Sequence, residues 1–219
     1  MSQALIVFVK EPIAGKVKTR LGKNPLSLEN SSDLYTAFLK DSFVSYKQLS
    51  KTDIIYFYVG NLIPLKKLLP EQTIWCLQSN GDLGEKMSSA FSEILVKYKK
   101  VVIVGSDHPD LPLTYLKKAF DVLSYVDVSI GNSDDGGYYC IGLKKPQSQL
   151  FTYMKWSVES VYAETQKRIE QSNLELFELP EWYDIDEFSD LKRFIESNDL
   201  SKYPTINSVI KSISEISGL

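Results

Sequence analysis

The sequence predicts an α/β protein with three αβα layers, in which a mainly parallel, mixed sheet is covered by helices on both faces. Apolar runs typical of strands recur along the whole chain, and segments with helical spacing lie between most of them. The 219 residues are 43% hydrophobic and 24% charged, an ordinary globular composition. We therefore expect residues 1–219 to form a single domain.

Seven segments rich in β-branched, aliphatic and aromatic residues are the predicted strands. They are residues 5–9, 54–59, 73–77, 101–104, 126–130, 138–143 and 174–179. Only a short turn separates the fifth segment from the sixth. We therefore expect the sixth strand to run antiparallel to its neighbour.

Helical spacing predicts helices around Leu34 and Phe38, across 87–98 and 116–123, behind Ser157, and across 188–195. Ser-Ser-Asp at 31–33 offers N-cap residues for the first of these helices. Thr114 offers a cap for the helix across 116–123.

Charge and hydropathy restrict the partners. Net charge is −3, from 25 basic and 28 acidic residues, so nucleic acid is not expected. No apolar run has the length of a membrane span, and Lys10 and Glu11 end the first run too early for a signal peptide. Cys76 and Cys140 lie far apart in strand-like segments, where we expect buried free thiols in a cytoplasmic protein.

Residues 101–112, Val-Val-Ile-Val-Gly-Ser-Asp-His-Pro-Asp-Leu-Pro, are the most informative segment. The buried strand stops at Gly105 and Ser106 and presents Asp107, after which two prolines prevent its continuation. Ligands of open α/β sheets bind beyond the carboxyl ends of strands. Asp107 is therefore the predicted ligand of a divalent cation on a phosphate.

A cationic loop follows the first strand. Within eleven residues it contains Lys10, Lys16, Lys18 and Arg20. Pro12 and Gly15 favour a loop over a helix at its start. Such a loop suits a polyphosphate, although Val17 after Lys16 rules out a Walker A motif. The alternative is a solvated basic surface.

Two glycine-containing segments have a structural and a functional interpretation. Gly81-Asp82-Leu83-Gly84 is either a tight turn into the next helix or a flexible loop over a ligand. Asp134-Asp135-Gly136-Gly137 is either a hairpin turn or a ligand site where the backbone approaches a substrate closely.

Asp184 and Asp186 form an Asp-x-Asp pair after the last predicted strand. Either could complete a metal site with Asp107, but Asp186 could instead cap the helix across 188–195. We expect the single histidine, His108, to have a local structural role because no nucleophile motif accompanies it.

Four motifs in order resemble a bacterial family of glycosyltransferase-A-type (GT-A), nucleotide-diphospho-sugar transferase-like proteins. The matching residues are Lys10-x-Pro12-x-x-Gly15-x-x-Lys18-Thr19-Arg20-Leu21, Gly81-Asp82-Leu83-Gly84, Gly105-Ser106-Asp107-x-Pro109-x-Leu111 and Asp135-Gly136-Gly137-Tyr138-Tyr139-x-Ile141-Gly142-Leu143. The family is similar to molybdenum-cofactor and phospholactate guanylyltransferases. Val158 and the segment 187–190 depart from its pattern.

The resemblance implies a Rossmann-like GT-A fold and a set of site residues. Catalytic roles fall to Lys18, Arg20 and Asp107, and Mg²⁺ or Mn²⁺ to Asp107 and Asp186. Nucleotide binding falls to Lys10, Pro12, Gly15, Lys18, Arg20, Gly81, Gly84 and Ser106. Substrate binding falls to Asp135, Gly136, Gly137 and Tyr138.

The expected function is metal-dependent transfer from a nucleotide-sugar to a small-molecule acceptor. The cations after the first strand favour the alternative, a nucleotidyltransferase that activates a phosphorylated small molecule with a nucleoside triphosphate. A non-catalytic nucleotide-binding protein is the third hypothesis. The sequence specifies neither the acceptor nor an oligomeric state.

Overall fold

The computed structural model describes residues 2–217 and has a seven-stranded sheet at its centre. The strands are β1 (Gln3–Lys10), β2 (Thr52–Val59), β3 (Ile74–Leu77), β4 (Lys100–Val104), β5 (Val128–Ser133), β6 (Tyr138–Leu143) and β7 (Leu176–Trp182). The helices are α1 (Leu28–Tyr46), α2 (Leu62–Leu68), α3 (Leu83–Ile94), α4 (Leu113–Val122), α5 (Val161–Gln171), α6 (Phe188–Ser197) and α7 (Pro204–Ser217).

The strand order is β3-β2-β1-β4-β6-β5-β7. Only β6 is antiparallel, and it pairs with β4 on one side and β5 on the other. This direction follows from the short turn between β5 and β6, as predicted. The other six strands therefore present their carboxyl ends at the same edge of the sheet.

Alternation along the strands builds two cores on opposite faces of the sheet. Leu5 and Val7 of β1 face the core shared with α1, α2 and α4. Ala4 and Ile6 face the core shared with α3 and α5. Each fully buried large apolar side chain contributes about 1.5–3 kcal/mol. The predicted three-layer αβα fold is confirmed.

A third core lies on the outer side of α1. Phe38 of α1 packs there with Phe194 of α6 and Ile206 of α7. Asp41 accepts hydrogen bonds from the backbone N–H of Thr205 (3.2 Å) and of Ile206 (2.9 Å), which satisfies the first turn of α7. Neither α7 nor the short α2 was predicted.

Two helices begin earlier than their predicted caps. Ser27 caps α1 by accepting from the Asn30 N–H (3.1 Å), so the predicted start at 31–33 is wrong. Ser31 is instead fully buried within the helix. Pro112 stands at the N-cap of α4 and places Thr114 inside the helix, so that cap prediction is also wrong.

Both cysteines are free thiols, but only Cys140 is buried, whereas Cys76 is half-buried on β3. Cys76 lies on β3, an edge strand that has a neighbouring strand on one side only. Within residues 2–217, no helix combines the length and apolar character needed to cross a membrane.

Candidate functional site

A cleft of about 1370 Å³ opens at the edge where the parallel strands end. Its walls come from the loop after β1, the residues after β4, the turn after β5 and the segment after β7. Lys18, Asp107, Asp135 and Asp186 all line it. The chain order alone separates these residues widely, and the sheet topology brings them together.

Lys18 lies at the centre of the charged groups in the cleft. Its Nζ contacts Asp107 Oδ1 and lies 2.8 Å from Asp186 Oδ1, while Arg20 also contacts Asp186. The Lys18 side chain is only 3% exposed. Burial alone would lower the pKa of Lys18, but the charges and hydrogen bonds of the two carboxylates raise it above the ordinary value. Lys18 therefore stays an ammonium ion.

The loop after β1 is shaped to deliver this side chain. Gly15 has φ +78°, where glycine carries no steric penalty, and Lys18 itself has φ +47°. Val17 and Leu21 are buried on either side and anchor the loop. The backbone N–H of Gly22 donates to the Lys18 carbonyl at 2.9 Å. A local turn thus turns Lys18 inward between two apolar anchors.

Ser106 lines the cleft, but its hydroxyl is engaged with the protein. Ser106 Oγ lies 2.9 Å from the Tyr35 hydroxyl, which accepts a hydrogen bond from the Lys10 N–H at 2.9 Å. Burial raises the pKa of Tyr35 to about 12. This chain of contacts connects the ends of β1 and β4 through α1.

Asp184 contacts His108, whereas Asp186 contacts Lys18. His108 Nδ1 lies 3.0 Å from Asp184 Oδ1, and Ser133 Oγ donates to the same oxygen at 3.2 Å. Burial alone would raise the pKa of Asp184, but His108 and Lys18 hold it below the ordinary value. Burial alone would lower the pKa of His108, but Asp184 raises this pKa above the ordinary value for histidine.

The alternative that Asp186 caps α6 is wrong. Glu187 is the N-cap residue, and Asp190 accepts from the Glu187 N–H (2.7 Å) and the Asp186 N–H (3.0 Å). The Asp186 side chain is thereby left to Lys18 and Arg20. Sequence reasoning did not identify the contact of Asp184 with His108, because these residues are 76 positions apart.

The segment before α3 is a turn into the helix, and part of it also lines the cleft. Asp82 accepts from the Glu85 N–H (2.9 Å), and Glu85 accepts from the Asp82 N–H (2.8 Å), a reciprocal N-terminal cap. Gly81 lines the cleft, but Gly84 does not. A Cβ on Gly84 would lie 2.6 Å from the Trp156 ring, so Gly84 allows α3 to pack closely.

The glycine turn after β5 likewise contains residues that line the cleft and one that has a purely structural role. Asp135, Gly137 and Tyr138 line the cleft, whereas Gly136 does not. Gly136 has φ +85°, and a Cβ there would collide with the Glu159 backbone. Its requirement for glycine is therefore structural.

The remaining predicted nucleotide-binding residues also differ in whether they line the cleft. Lys10 lines the cleft, while Pro12 and Gly15 shape the loop without lining it. Lys16 lines the cleft as well. Trp156 and Glu159, which also line it, were not among the predicted site residues.

The two converging carboxylates suit a hard divalent cation. Asp107 and Asp186 meet at one ammonium group, and carboxylate oxygens are preferred ligands of Mg²⁺ and Mn²⁺. Across residues 2–217 there is no cluster of three or more His, Cys, Asp or Glu side chains arranged for a metal. A cation here would need phosphate and water oxygens as well, as Mg²⁺ commonly does in phosphate sites.

Comparisons with known proteins agree with this architecture. A crystal structure from Desulfovibrio desulfuricans G20, of a protein named as a nucleotide-diphospho-sugar transferase, is 32% identical with a TM-score of 0.85. The match covers 97% of this chain and 98% of that one. No curated protein sequence matches the chain.

More distant structures share the fold alone. Rv0371c of Mycobacterium tuberculosis H37Rv, in complex with manganese, has a TM-score of 0.58 at 14% identity over 90% of this chain and 100% of that one. The 4-diphosphocytidyl-2C-methyl-D-erythritol synthase of Anaerococcus prevotii DSM 20548 has a TM-score of 0.58 at 9% identity, over 88% and 93%.

The family model described as "Uncharacterized protein conserved in bacteria (DUF2064)" matches residues 44–158. The matched segment contains the Asp107 motif and the glycine turn after β5. The predicted resemblance to a bacterial family with the nucleotide-diphospho-sugar transferase fold is confirmed, and the chain belongs to the DUF2064 family.

Proposed function

We propose that this chain is a metal-dependent transferase whose donor is a nucleotide. One observation carries the proposal: carboxylates from two separate strand ends and the cations of the β1 loop converge on one cleft. The name of the Desulfovibrio relative, a nucleotide-diphospho-sugar transferase, agrees with this class of enzyme. The manganese complex of Rv0371c, a structure of the same fold, agrees with a divalent metal.

Asp107 and Asp186 would hold Mg²⁺ or Mn²⁺. The bound ion would neutralise phosphate charge as the leaving group departs. Lys10 and Lys16 line the cleft, and their ammonium groups have no ion-pair or hydrogen-bond partner among residues 2–217. They are the cations best placed to accept phosphate oxygens. Lys18 and Arg20 would support the carboxylates and complete the positive lining.

The cations at the end of β1 and in the loop after it favour a nucleoside triphosphate as donor. Lys10, Lys16, Lys18 and Arg20 line the cleft, and the ammonium groups of Lys10 and Lys16 have no partner among residues 2–217. A triphosphate offers these cations more phosphate oxygens than a nucleotide-sugar, whose diphosphate is esterified at both ends. In this reaction an acceptor oxygen bonds to the α-phosphorus, the bond to the bridging oxygen breaks, and pyrophosphate leaves.

Glycosyl transfer from a nucleotide-sugar is the second candidate, favoured by the name of the Desulfovibrio relative. Here the acceptor oxygen would bond to the anomeric carbon, and a nucleoside diphosphate would leave. In either reaction the acceptor would lie against Asp135, Gly137 and Tyr138, which line the same cleft as the loop cations.

Thermal stabilisation separates the donor classes without requiring an acceptor. We expect Mn²⁺ with a nucleoside triphosphate to raise the melting temperature more than Mn²⁺ with a nucleotide-sugar. A larger rise with nucleotide-sugars would instead support glycosyl transfer. The absence of any rise with either class would reject the proposal.

Product release then tests turnover. The protein, Mn²⁺ and the preferred donor are incubated with small-molecule acceptors, and pyrophosphate and nucleoside diphosphate are assayed. D107N is the matched control, because it retains the side-chain volume and loses the charge. Donor binding without release across phosphorylated and hydroxylated acceptors would favour the non-catalytic binding protein.

A further inference from the structure

We infer that His108 and Asp184 are positioning residues that hold Asp186 opposite Asp107. The inference rests on the proposed function, in which these two aspartates form the metal pair. Strands β6 and β5 lie between β4, which leads to Asp107, and β7, which leads to Asp186. Three strand spacings amount to about 14 Å. The segment after β7 must therefore cross the sheet edge to bring Asp186 to Lys18.

Three hydrogen bonds hold the crossing segment in place. The Ile185 N–H donates to the Asp107 carbonyl at 2.9 Å. Asp184 bonds to His108 Nδ1 at 3.0 Å and accepts from Ser133 at 3.2 Å. The first bond joins Asp107 itself to the residue before Asp186, and the second joins the residue after Asp107 to Asp184, two positions before Asp186. We therefore expect loss of either bond to displace the Asp186 carboxylate.

The burial of His108 points to a polar role rather than a packing role. The residue is only 2% exposed, and its Nε2 has no hydrogen-bond partner within the described chain. A buried polar nitrogen without a partner is unfavourable, so an apolar ring would pack at lower cost. The bond from Nδ1 to Asp184 is the contact that an apolar ring could not make.

Nε2 is poorly placed for direct contact with a substrate. His108 is among the residues that line the cleft, but its Nε2 is inaccessible to solvent and lies 3.2 Å from the position that a Cβ on Gly105 would occupy. A general base must reach the proton that it removes. His108 therefore acts through Asp184 and the segment that follows it.

The test measures the affinity of the full chain for Mn²⁺ alone, by electron paramagnetic resonance of the free ion. H108F keeps a ring of similar volume but loses the bond to Asp184. D184A removes the same bond by changing its other partner, which is partly exposed. We expect each variant to weaken Mn²⁺ binding roughly 10–100-fold, as loss of an outer ligand contact does. H108N, whose amide can occupy the position of Nδ1, should restore most of the affinity.

D41A is the matched control for a merely structural effect. It removes the buried carboxylate that caps α7 and does not line the cleft. D41A should lower the melting temperature and leave Mn²⁺ affinity unchanged. H108F and D184A remove the same contact, so their effects should not add. The double variant H108F/D184A should therefore bind Mn²⁺ no more weakly than whichever single variant has the lower affinity.

The failure of this inference differs from failure of the proposed function. If H108F and D184A bind Mn²⁺ as the wild type does while D107N and D186N do not, the positioning role is wrong and the metal site stands. If D107N and D186N also bind normally, or the wild type does not bind Mn²⁺, the metal site is wrong and the inference falls with it. If H108F does not fold, D184A and H108N decide the outcome.

Discussion

The cations at the end of β1 and in the loop after it form two pairs with different surroundings. Lys18 and Arg20 contact Asp186, and Lys18 also contacts Asp107 in an almost fully buried position. Lys10 and Lys16 have exposed side chains without charged partners among residues 2–217, although they line the same cleft. One loop therefore both neutralises the protein's own carboxylates and presents free positive charge to a ligand.

This comparison shows that cations close in sequence are not equivalent. Lys18 is the nearly buried partner of two carboxylates, so its removal affects the folded state itself. Lys10 and Lys16 keep their hydration until a ligand arrives, so their removal affects binding alone. Five variants test this division, beginning with the largest expected effect.

D107N is expected to have the largest effect on ligand binding. The amide cannot supply the anionic oxygen that a divalent cation requires, so stabilisation by Mn²⁺ plus nucleotide should disappear. The melting temperature without metal should stay nearly unchanged, because Lys18 retains Asp186. Differential scanning fluorimetry measures both. D134N, which alters an exposed carboxylate paired with Arg193, should keep the full shift, and an unchanged shift in D107N would contradict the assignment.

K18M should lower the free energy of unfolding by about 1–3 kcal/mol. Removing one member of a buried ion pair costs about 3–5 kcal/mol, but here the carboxylates are 37% and 29% exposed, which reduces the penalty. Mn²⁺ should recover part of the loss, because it can take the place of the ammonium between the carboxylates. Urea titrations with and without Mn²⁺ measure this. Equal stability of K18M and the wild type would remove the distinction between the two pairs.

K10A and K16A should each weaken nucleotide binding by about 1–3 kcal/mol, the contribution of a charge-assisted hydrogen bond. Stability without ligand should change by no more than about 0.5 kcal/mol, as at other surface positions. Calorimetric titration with Mn²⁺ and nucleotide gives the affinities. K23A is the control, because Lys23 is an exposed cation of the same loop that does not line the cleft. Equal losses in K23A would indicate a general charge effect.

R20A should lower the free energy of unfolding by only about 0–1 kcal/mol, because exposed ion pairs contribute little. Arg20 is 55% exposed, whereas Lys18, which binds the same Asp186, is 3% exposed. Denaturant midpoints of R20A and K18M compare the two cations directly. A loss in R20A as large as that in K18M would show that charge rather than burial sets the contribution.

The sequence predicted the regular elements better than their boundaries. All seven strands were located, and β6 was expected to be antiparallel. The start of α1 was missed because Ser31 and Ser32 have the chemistry of cap residues, but burial against neighbouring elements places them inside the helix. The short α2 contains Pro64 and has little periodicity to detect.

The site was predictable where it depends on a single strand end. Asp107 and the loop cations follow recognisable strands, and both line the cleft. The contacts of Asp184 and Asp186 with different partners were not predictable. They depend on how the segment after β7 crosses the sheet, which no local pattern specifies.

The sequence by itself determined the layers of the fold, the strand that ends at Asp107 and the clustering of cations after β1. Periodicity, prolines and glycines act within a few residues, so their consequences can be deduced locally. Only the tertiary structure decided that Lys18 lies between Asp107 and Asp186, the latter 168 positions away, while Lys10 and Lys16 remain free. The physical reason is that strand order sets which ends meet, and burial then sets the strength of each charge interaction.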